Sequence, residues 1–261
     1  MAIYDKPVRA ILPEMIRELA STPAQRFSKD DAIRWFANRY PKIKQGTISA
    51  HLIRFSTNAR SRLHYGPRPD EDLLFQLDGS HFRPYDSSKD PSPIRSKEDL
   101  AQGLAIPIES PEDAEAPNEF AYESDLRDFL AEHLSVIEAG LQLYQDEGIT
   151  GVEFPAGGRF IDILAVDAQK RLVVIELKVS RGYDRVVGQL LRYMGWIHAH
   201  HAEPGQEVRG VIVARDISDD LKLACMRLPT IALYEYELSV ALRQIEPTPG
   251  HNGSKKSAKA A

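Results

Sequence analysis

The chain of 261 residues is 43% hydrophobic and 27% charged, with one cysteine and a formal net charge of −5. That balance excludes a wholly disordered chain, a disulfide framework and a cysteine-built zinc cluster, and no apolar run approaches the length that spans a bilayer. The charge is an average over unlike segments: residues 1–68 hold 13 Lys and Arg against 5 Asp and Glu, whereas residues 69–120 hold 4 against 13. A basic first segment supplies phosphate attraction that the remainder lacks. The N-terminus Met1-Ala2-Ile3-Tyr4-Asp5-Lys6-Pro7 has no apolar signal core, and Cys225 reads as a small buried hydrophobe, so a reducing cytoplasm is the expected compartment.

Residues 8–63 read as three helices. Val8, Ile11, Leu12, Met15, Ile16 and Leu19 form the apolar stripe of the first, which Thr22-Pro23 ends. Ser28-Lys29-Asp30-Asp31 is a capping-box pattern for the second, whose Ile33, Trp35 and Phe36 supply core ahead of Pro41. The third begins near Gly46-Thr47 and is anchored by Ile48, Leu52, Ile53 and Phe55. Residues 73–77 and 81–85 then flank Asp78-Gly79-Ser80, a hairpin signal. Three helices and a hairpin predict a winged helix-turn-helix domain over residues 1–85, with the third helix in the major groove of double-stranded DNA and the hairpin as wing. The positions offered to DNA are Lys42, Lys44, Gln45, Thr47, Ser49, His51, Arg54, Asn58 and Arg60. A basic module for protein interaction or dimerisation is the alternative.

Residues 86–118 carry Pro91, Pro93, Pro107, Pro111 and Pro117 among Ser and acidic residues, the composition of a linker. The acidic run 109–119 reads as a solvated spacer. Residues 122–134 then predict an amphipathic helix with Leu126, Phe129, Leu130 and Leu134 on one side and Glu123 in its first turn, where a carboxylate suits the helix dipole.

The segment 160–181, FIDILAVDAQKRLVVIELKVSR, is the richest in information. Strands that are Val, Ile and Leu on both faces are buried, yet they carry Asp162, Glu176 and Lys178. Side chains alternate along a strand, so Glu176 and Lys178 share a face, and a tight hairpin over residues 167–171 brings Asp162 beside Glu176. Two carboxylates and an ammonium converging in an apolar sheet suit metal-assisted phosphodiester hydrolysis. Hard oxygen ligands hold Mg²⁺ or Mn²⁺, and Lys178 orients water or stabilises charge on phosphorus. The alternative is a buried ion pair without catalytic role. The helix 183–200 follows, with Val186, Val187, Leu190, Leu191, Met194 and Ile197 at helical spacing; Gln189 and Tyr193 share a face, and Arg181 and Arg185 lie at the end where the carboxylates gather. His198, His200 and His201 end that helix, and C-capping accounts for them. The tail 247–261 is polar and expected to be disordered.

The order of elements, with Asp162, Glu176-x-Lys178 and Gln189-x-x-x-Tyr193, resembles the PD-(D/E)XK nucleases. More closely, residues 119–242 resemble the catalytic domain of the NucS/EndoMS endonuclease family, through the strings GVEFPAGGRFIDILAVD, LVVIELKVSRGYDRVVGQLLRYMGWI and VRGVIVARDISDDLKLAC. The resemblance implies an α/β fold, a restriction-endonuclease-like mixed β-sheet flanked by helices over residues 119–246, preceded by the smaller winged-helix domain. It further implies Mg²⁺- or Mn²⁺-dependent DNA cleavage, with metal ligands on Glu123, Asp162 and Glu176, the catalytic lysine on Lys178 and supporting contacts from Gln189 and Tyr193. That family places a β-rich DNA-binding domain before the nuclease and commonly ends in a hydrophobic sliding-clamp motif. Neither is found here, so a sliding-clamp partner is not expected. The first expectation is a restriction or defence endonuclease that reads a sequence, modified base or DNA structure and works as a homodimer, since cutting both strands takes two sites. A NucS/EndoMS-like mismatch or branched-DNA repair nuclease and a non-catalytic DNA-binding regulator are the alternatives.

Overall fold

The computed structural model describes residues 6–101, 117–178, 183–237 and 243. Arg181, most of the acidic run 109–119 and the tail 247–261 lie outside them. The first part folds as α1 (Val8–Leu19), β1 (Phe27–Ser28), α2 (Lys29–Arg39), α3 (Gln45–Phe55), β2 (Leu74–Gln76) and β3 (His81–Pro84). β3 is the centre of a three-stranded sheet in the order β1-β3-β2, paired antiparallel on both sides. This is the element order that the winged-helix expectation requires. The predicted capping box is present: Asp31 N donates to Ser28 Oγ, and Ser28 N donates to the Asp31 carboxylate. Ile11, Leu12, Met15, Trp35, Phe36, Ile48, Leu52, Phe55 and Phe82 close the core of this part.

The segment expected to be a free linker is attached over its first dozen residues. Ile94 N donates to Thr57 O, Asp90 pairs with Arg83, and Arg95 pairs with Asp72. Arg62, fully buried, explains why. Its guanidinium needs acceptors in an apolar site, and it finds Asp72 at 2.7 Å together with the carbonyls of Arg54, Thr57 and Ile94. After the short helix α4 (Lys97–Ala101) the description resumes in α5 (Pro117–Glu132).

The second part is built on β4 (Gln142–Leu143), β5 (Gln145–Asp146), β6 (Ile149–Thr150), β7 (Val152–Ala156), β8 (Arg159–Val166), β9 (Leu172–Lys178), α6 (Tyr183–His200), β10 (Val208–Ala214), α7 (Asp219–Cys225) and β11 (Ile231–Glu235). The main sheet runs β11-β10-β9-β8, with β4 and β7 each pairing a different stretch of β8. β9, β10 and β11 are parallel; β8 is antiparallel to β9, which makes the sheet mixed. The expected hairpin sits at residues 167–171, closed by Val166 opposite Leu172. The Asp167 carboxylate fixes it by accepting from Gln169 N, Arg171 N and Arg171 Nε. Alternation on β9 decides what each face meets: Val173, Ile175 and Leu177 pack against Leu126 and Leu130 of α5, while Leu172 and Val174 pack under α6. Among the described residues no helix is long and apolar enough to cross a membrane.

The structure departs from the sequence reading at α3. Every residue of this helix from Gly46 to Phe55 is buried. One side carries Ile48, Leu52 and Phe55 into the first core. The other carries Ala50 and Ile53 into a core shared with Ile149, Phe154, Tyr65 and the α6 residues Val186 and Leu190. Polar bonds tie the same seam. Thr47 Oγ1 donates to Asp146, Arg54 Nη1 to Gly148 O, Tyr65 OH to Glu153 O, and Lys44 pairs with Glu203 at 2.7 Å. The small side chains at Gly46, Thr47, Ser49 and Ala50, of which Thr47 and Ser49 were expected at the surface, are what let the second layer approach. A helix covered on both sides has no face for a DNA groove.

Two predictions follow from the seam. A Cβ on Gly46 would stand 2.6 Å from His201 Nδ1 and 3.0 Å from the Phe154 ring, whereas one on Gly195 of α6 meets nothing within 4 Å. Gly46→Ala is expected to lose about 1–3 kcal/mol in denaturant unfolding, and Gly195→Ala to gain about 0.5–1 kcal/mol. The seam also buries His51 and His201, and burial lowers their pKa values to about 4 and about 3. Each folded value lies below the unfolded one, so the unfolded chain takes up the proton first. Stability is therefore full at neutral pH and falls as pH drops below about 6.5, by about 1.4 kcal/mol per unit and histidine. Unfolding at pH 7 and pH 5 is expected to differ by up to about 2 kcal/mol per histidine, and His201→Leu is expected to flatten that slope; an unchanged slope would contradict it.

Candidate active site

β8 and β9 part company where the charges sit. Their last antiparallel pair is Ile163 with Ile175, and beyond it β8 continues against β7 alone. Extending the register by one residue sets Asp162 across from Glu176. Leu177 N, past the end of the ladder, donates to Asp162 Oδ2 at 2.8 Å, so the side chain takes a role that a strand carbonyl no longer fills. On the other side of β9, Glu176 and Lys178 pair in register with Ile212 and Ala214 of β10. Glu176 is 2% exposed and Lys178, at the strand end, is half-buried. Burial raises the pKa of Asp162, against the Leu177 hydrogen bond and the charges of Arg127 and Lys178 that favour its ionised form.

α6 adds a polar pair above the carboxylates. Tyr193 is buried, and Gln189 Nε2 donates to its hydroxyl at 3.4 Å. Burial and then the charge of Glu176 raise the Tyr193 pKa, which keeps the hydroxyl a donor. Arg192 stacks on the Tyr193 ring, 4.7 Å from its centroid. Asp162, Glu176, Lys178, Gln189 and Tyr193 are thus brought together as expected. Glu123 is half-buried on α5, and no three His, Cys, Asp or Glu among the described residues form a group able to hold a metal ion. Two facing carboxylates in a buried fork still fit a divalent ion. Like charges at that spacing are costly without a cation, and Mg²⁺ commonly takes one or two carboxylates and keeps several waters.

Two charged residues beside the site escaped the sequence reading. Arg127 of α5 is buried, its charge acts on Asp162, and its Nη1 donates to Glu153 Oε1 at 2.6 Å. Glu153 of β7 stands at a left-handed φ of 45°, between the pairs Val152–Ile163 and Phe154–Ile161, and so opposite Asp162. Ser61 Oγ donates to Glu153 Oε2, and His64 Nε2 lies 3.7 Å from it. Although burial opposes ionisation, His64, Arg127 and Ser61 bring the Glu153 pKa down to about 2. A signal was present: a carboxylate inside the apolar string GVEFPAGG needs the same justification as Asp162.

Of the residues offered to DNA, Thr47, Ser49, His51, Arg54 and Asn58 are buried. Their partners are protein: Arg54 pairs with Glu71 at 3.0 Å, His51 Nδ1 is bonded to Thr47 O, and Asn58 bridges the backbone of Gln76. Lys44 and Gln45 are half-buried, while Lys42, Arg60 and Arg185 are exposed.

Residues 122–250 match the model of the endonuclease NucS C-terminal domain, and residues 7–84 match a domain of unknown function, DUF7669. Endonuclease NucS of Methanopyrus kandleri is 34% identical over 138 residues, 52% of this chain and 46% of that protein. Endonuclease NucS of Pyrococcus furiosus is 28% identical over 164 residues, 62% of this chain and 53% of its own. The chain therefore spans about half the length of the curated relatives it matches. Among solved structures, an EndoMS–double-stranded DNA complex aligns with a TM-score of 0.38 at 23% identity, over 51% of this chain and 50% of the other. A repair endonuclease from Pyrococcus abyssi aligns with a TM-score of 0.36 at 24% identity, over 49% and 50%. The C-terminal half of the chain thus resembles the C-terminal domain of the NucS endonucleases, and the N-terminal part resembles DUF7669.

Proposed function

We propose that this chain is a metal-dependent DNA endonuclease of the NucS kind, acting on double-stranded DNA by structure rather than by base sequence. The observation that carries the proposal is Asp162 facing Glu176 at the parting of β8 and β9, with Lys178 two residues further along the same face. In this reading Asp162 and Glu176 hold Mg²⁺ or Mn²⁺, with Glu123 of α5 as the candidate third ligand. The ion, when bound, supplies Lewis-acid polarisation of the phosphate and a water of lowered pKa. Lys178 donates toward the phosphate oxygens and the attacking water, and its charge meets the charge that develops on phosphorus. Tyr193, protonated and oriented by Gln189, donates into the same space.

The repair-type alternative is favoured over restriction or defence. The relatives are NucS proteins, and a covered α3 leaves the N-terminal domain without the helix that a sequence reader uses. Exposed Lys42, Arg60 and Arg185 remain as phosphate contacts, and Arg181, outside the described residues, stays a candidate. Cutting both strands requires two copies, hence a homodimer on DNA. A regulator without turnover does not account for three charged groups retained in a buried fork.

The test is cleavage, with Mg²⁺ or Mn²⁺, of matched, methylated, mismatched and branched duplexes. Mismatched or branched DNA is expected to be cut. Asp162→Asn and Glu176→Gln are each expected to lower kcat by on the order of 10³-fold, while remaining folded and no longer gaining thermal stability from the metal. Parental cutting by either variant would refute the assignment, and cutting confined to one short unmodified sequence would restore the restriction reading.

A further inference from the structure

Arg127 poses a problem for the site just described. A buried guanidinium is permanently charged, and its field reaches Asp162, the carboxylate proposed to bind a cation. Left alone it would pair with Asp162 and occupy it. What draws it away is Glu153, on the neighbouring strand and opposite Asp162. Glu153 adopts a backbone that a residue with a Cβ rarely takes, at φ 45°. Such a conformation costs of order 1–3 kcal/mol and persists only where surroundings over-determine it. Here the surroundings belong to the other domain. Ser61 Oγ and His64 hold the carboxylate, and Tyr65 OH bonds the carbonyl at 3.0 Å, all three from the 3-10 turn Arg60–Tyr65 that follows α3. The turn is fixed in its place by the shared core, in which Tyr65 and Ala59 take part, and by Thr150 Oγ1 donating to His64 O.

We propose that Glu153 is a positioning residue that holds Arg127 off Asp162 and so keeps this carboxylate open to a divalent cation, and that the N-terminal domain sets Glu153 through Ser61, His64 and Tyr65. The inference rests on the nuclease reading for the identity of the site but not on turnover for its test. It gives the N-terminal domain a role in the active site that is separate from DNA contact. It also predicts that the C-terminal domain without its partner domain has a weakened cation site.

The experiment is Mn²⁺ binding to the intact chain without DNA, by calorimetry and by the electron paramagnetic resonance signal of free Mn²⁺. Asp162→Asn anchors the assay by abolishing the site. Glu153→Gln releases Arg127 and is expected to weaken Mn²⁺ binding by about 10-fold or more. Glu153→Gly, which suits the left-handed backbone, is expected to do the same should the glutamine variant fold poorly. Removing both partners, Arg127→Met with Glu153→Gln, is expected to restore binding to within about 3-fold of the parent, a rescue that a merely structural role would not give. Ser61→Ala with His64→Ala is expected to weaken binding in the same direction, and to add nothing to Glu153→Gln. Binding by Glu153→Gln equal to the parent, or a double variant as weak as Glu153→Gln, would overturn the proposal. The latter would make Glu153 itself a ligand or a strut. Mn²⁺ binding that survives Asp162→Asn, or no binding by the parent, would instead bring down the nuclease reading and this inference with it.

Discussion

Asp162 and Glu176 face each other where β8 turns from β9 to β7, and the cost of keeping two carboxylates in that fork governs what surrounds them. The Leu177 amide, Lys178, Arg127 and the Tyr193 hydroxyl are the compensation that the protein itself provides. All are donors or cations. Carboxylates that served only as structural ion pairs would be replaced at little loss by apolar residues, because burying a pair roughly cancels its attraction. A divalent ion changes that balance, since it adds binding energy available only when both carboxylates are ionised and adjacent.

The second constraint is the seam along α3. By filling a core on each side, this helix packs the two domains together, and the turn that follows it reaches the main sheet of the second through Glu153. On the proposed reading, the first domain supports the geometry of the second instead of reading DNA through α3.

Much of the site was legible in the sequence because it rests on short-range rules. A period of two and a five-residue hairpin fix which face Glu176 and Lys178 share and which residue of β8 stands opposite, and the helical spacing of Gln189 and Tyr193 fixes their common face. The capping box at Ser28 and the Asp167 turn were legible for the same reason. The fate of α3 was not. Its apolar stripe predicts one packed side, while Gly46, Thr47, Ser49 and Ala50 on the other are small and weakly polar, equally suited to water or to a close layer. Arg54 looked like a phosphate contact until its partners Glu71 and Gly148 O, one of them 94 residues away, came into view. The pairing of Glu153 with Ser61 spans 92 residues and that with Arg127 spans 26, and periodicity carries no information at either range.

The most direct measurement is a crystal of the intact chain soaked in Mn²⁺, with anomalous differences collected at the manganese edge. The account predicts a peak bounded by the carboxylates of Asp162 and Glu176, within ordinary oxygen–metal distance of both. A well-ordered crystal with no peak there at millimolar Mn²⁺, or with Arg127 seated on Asp162 in its place, would contradict it.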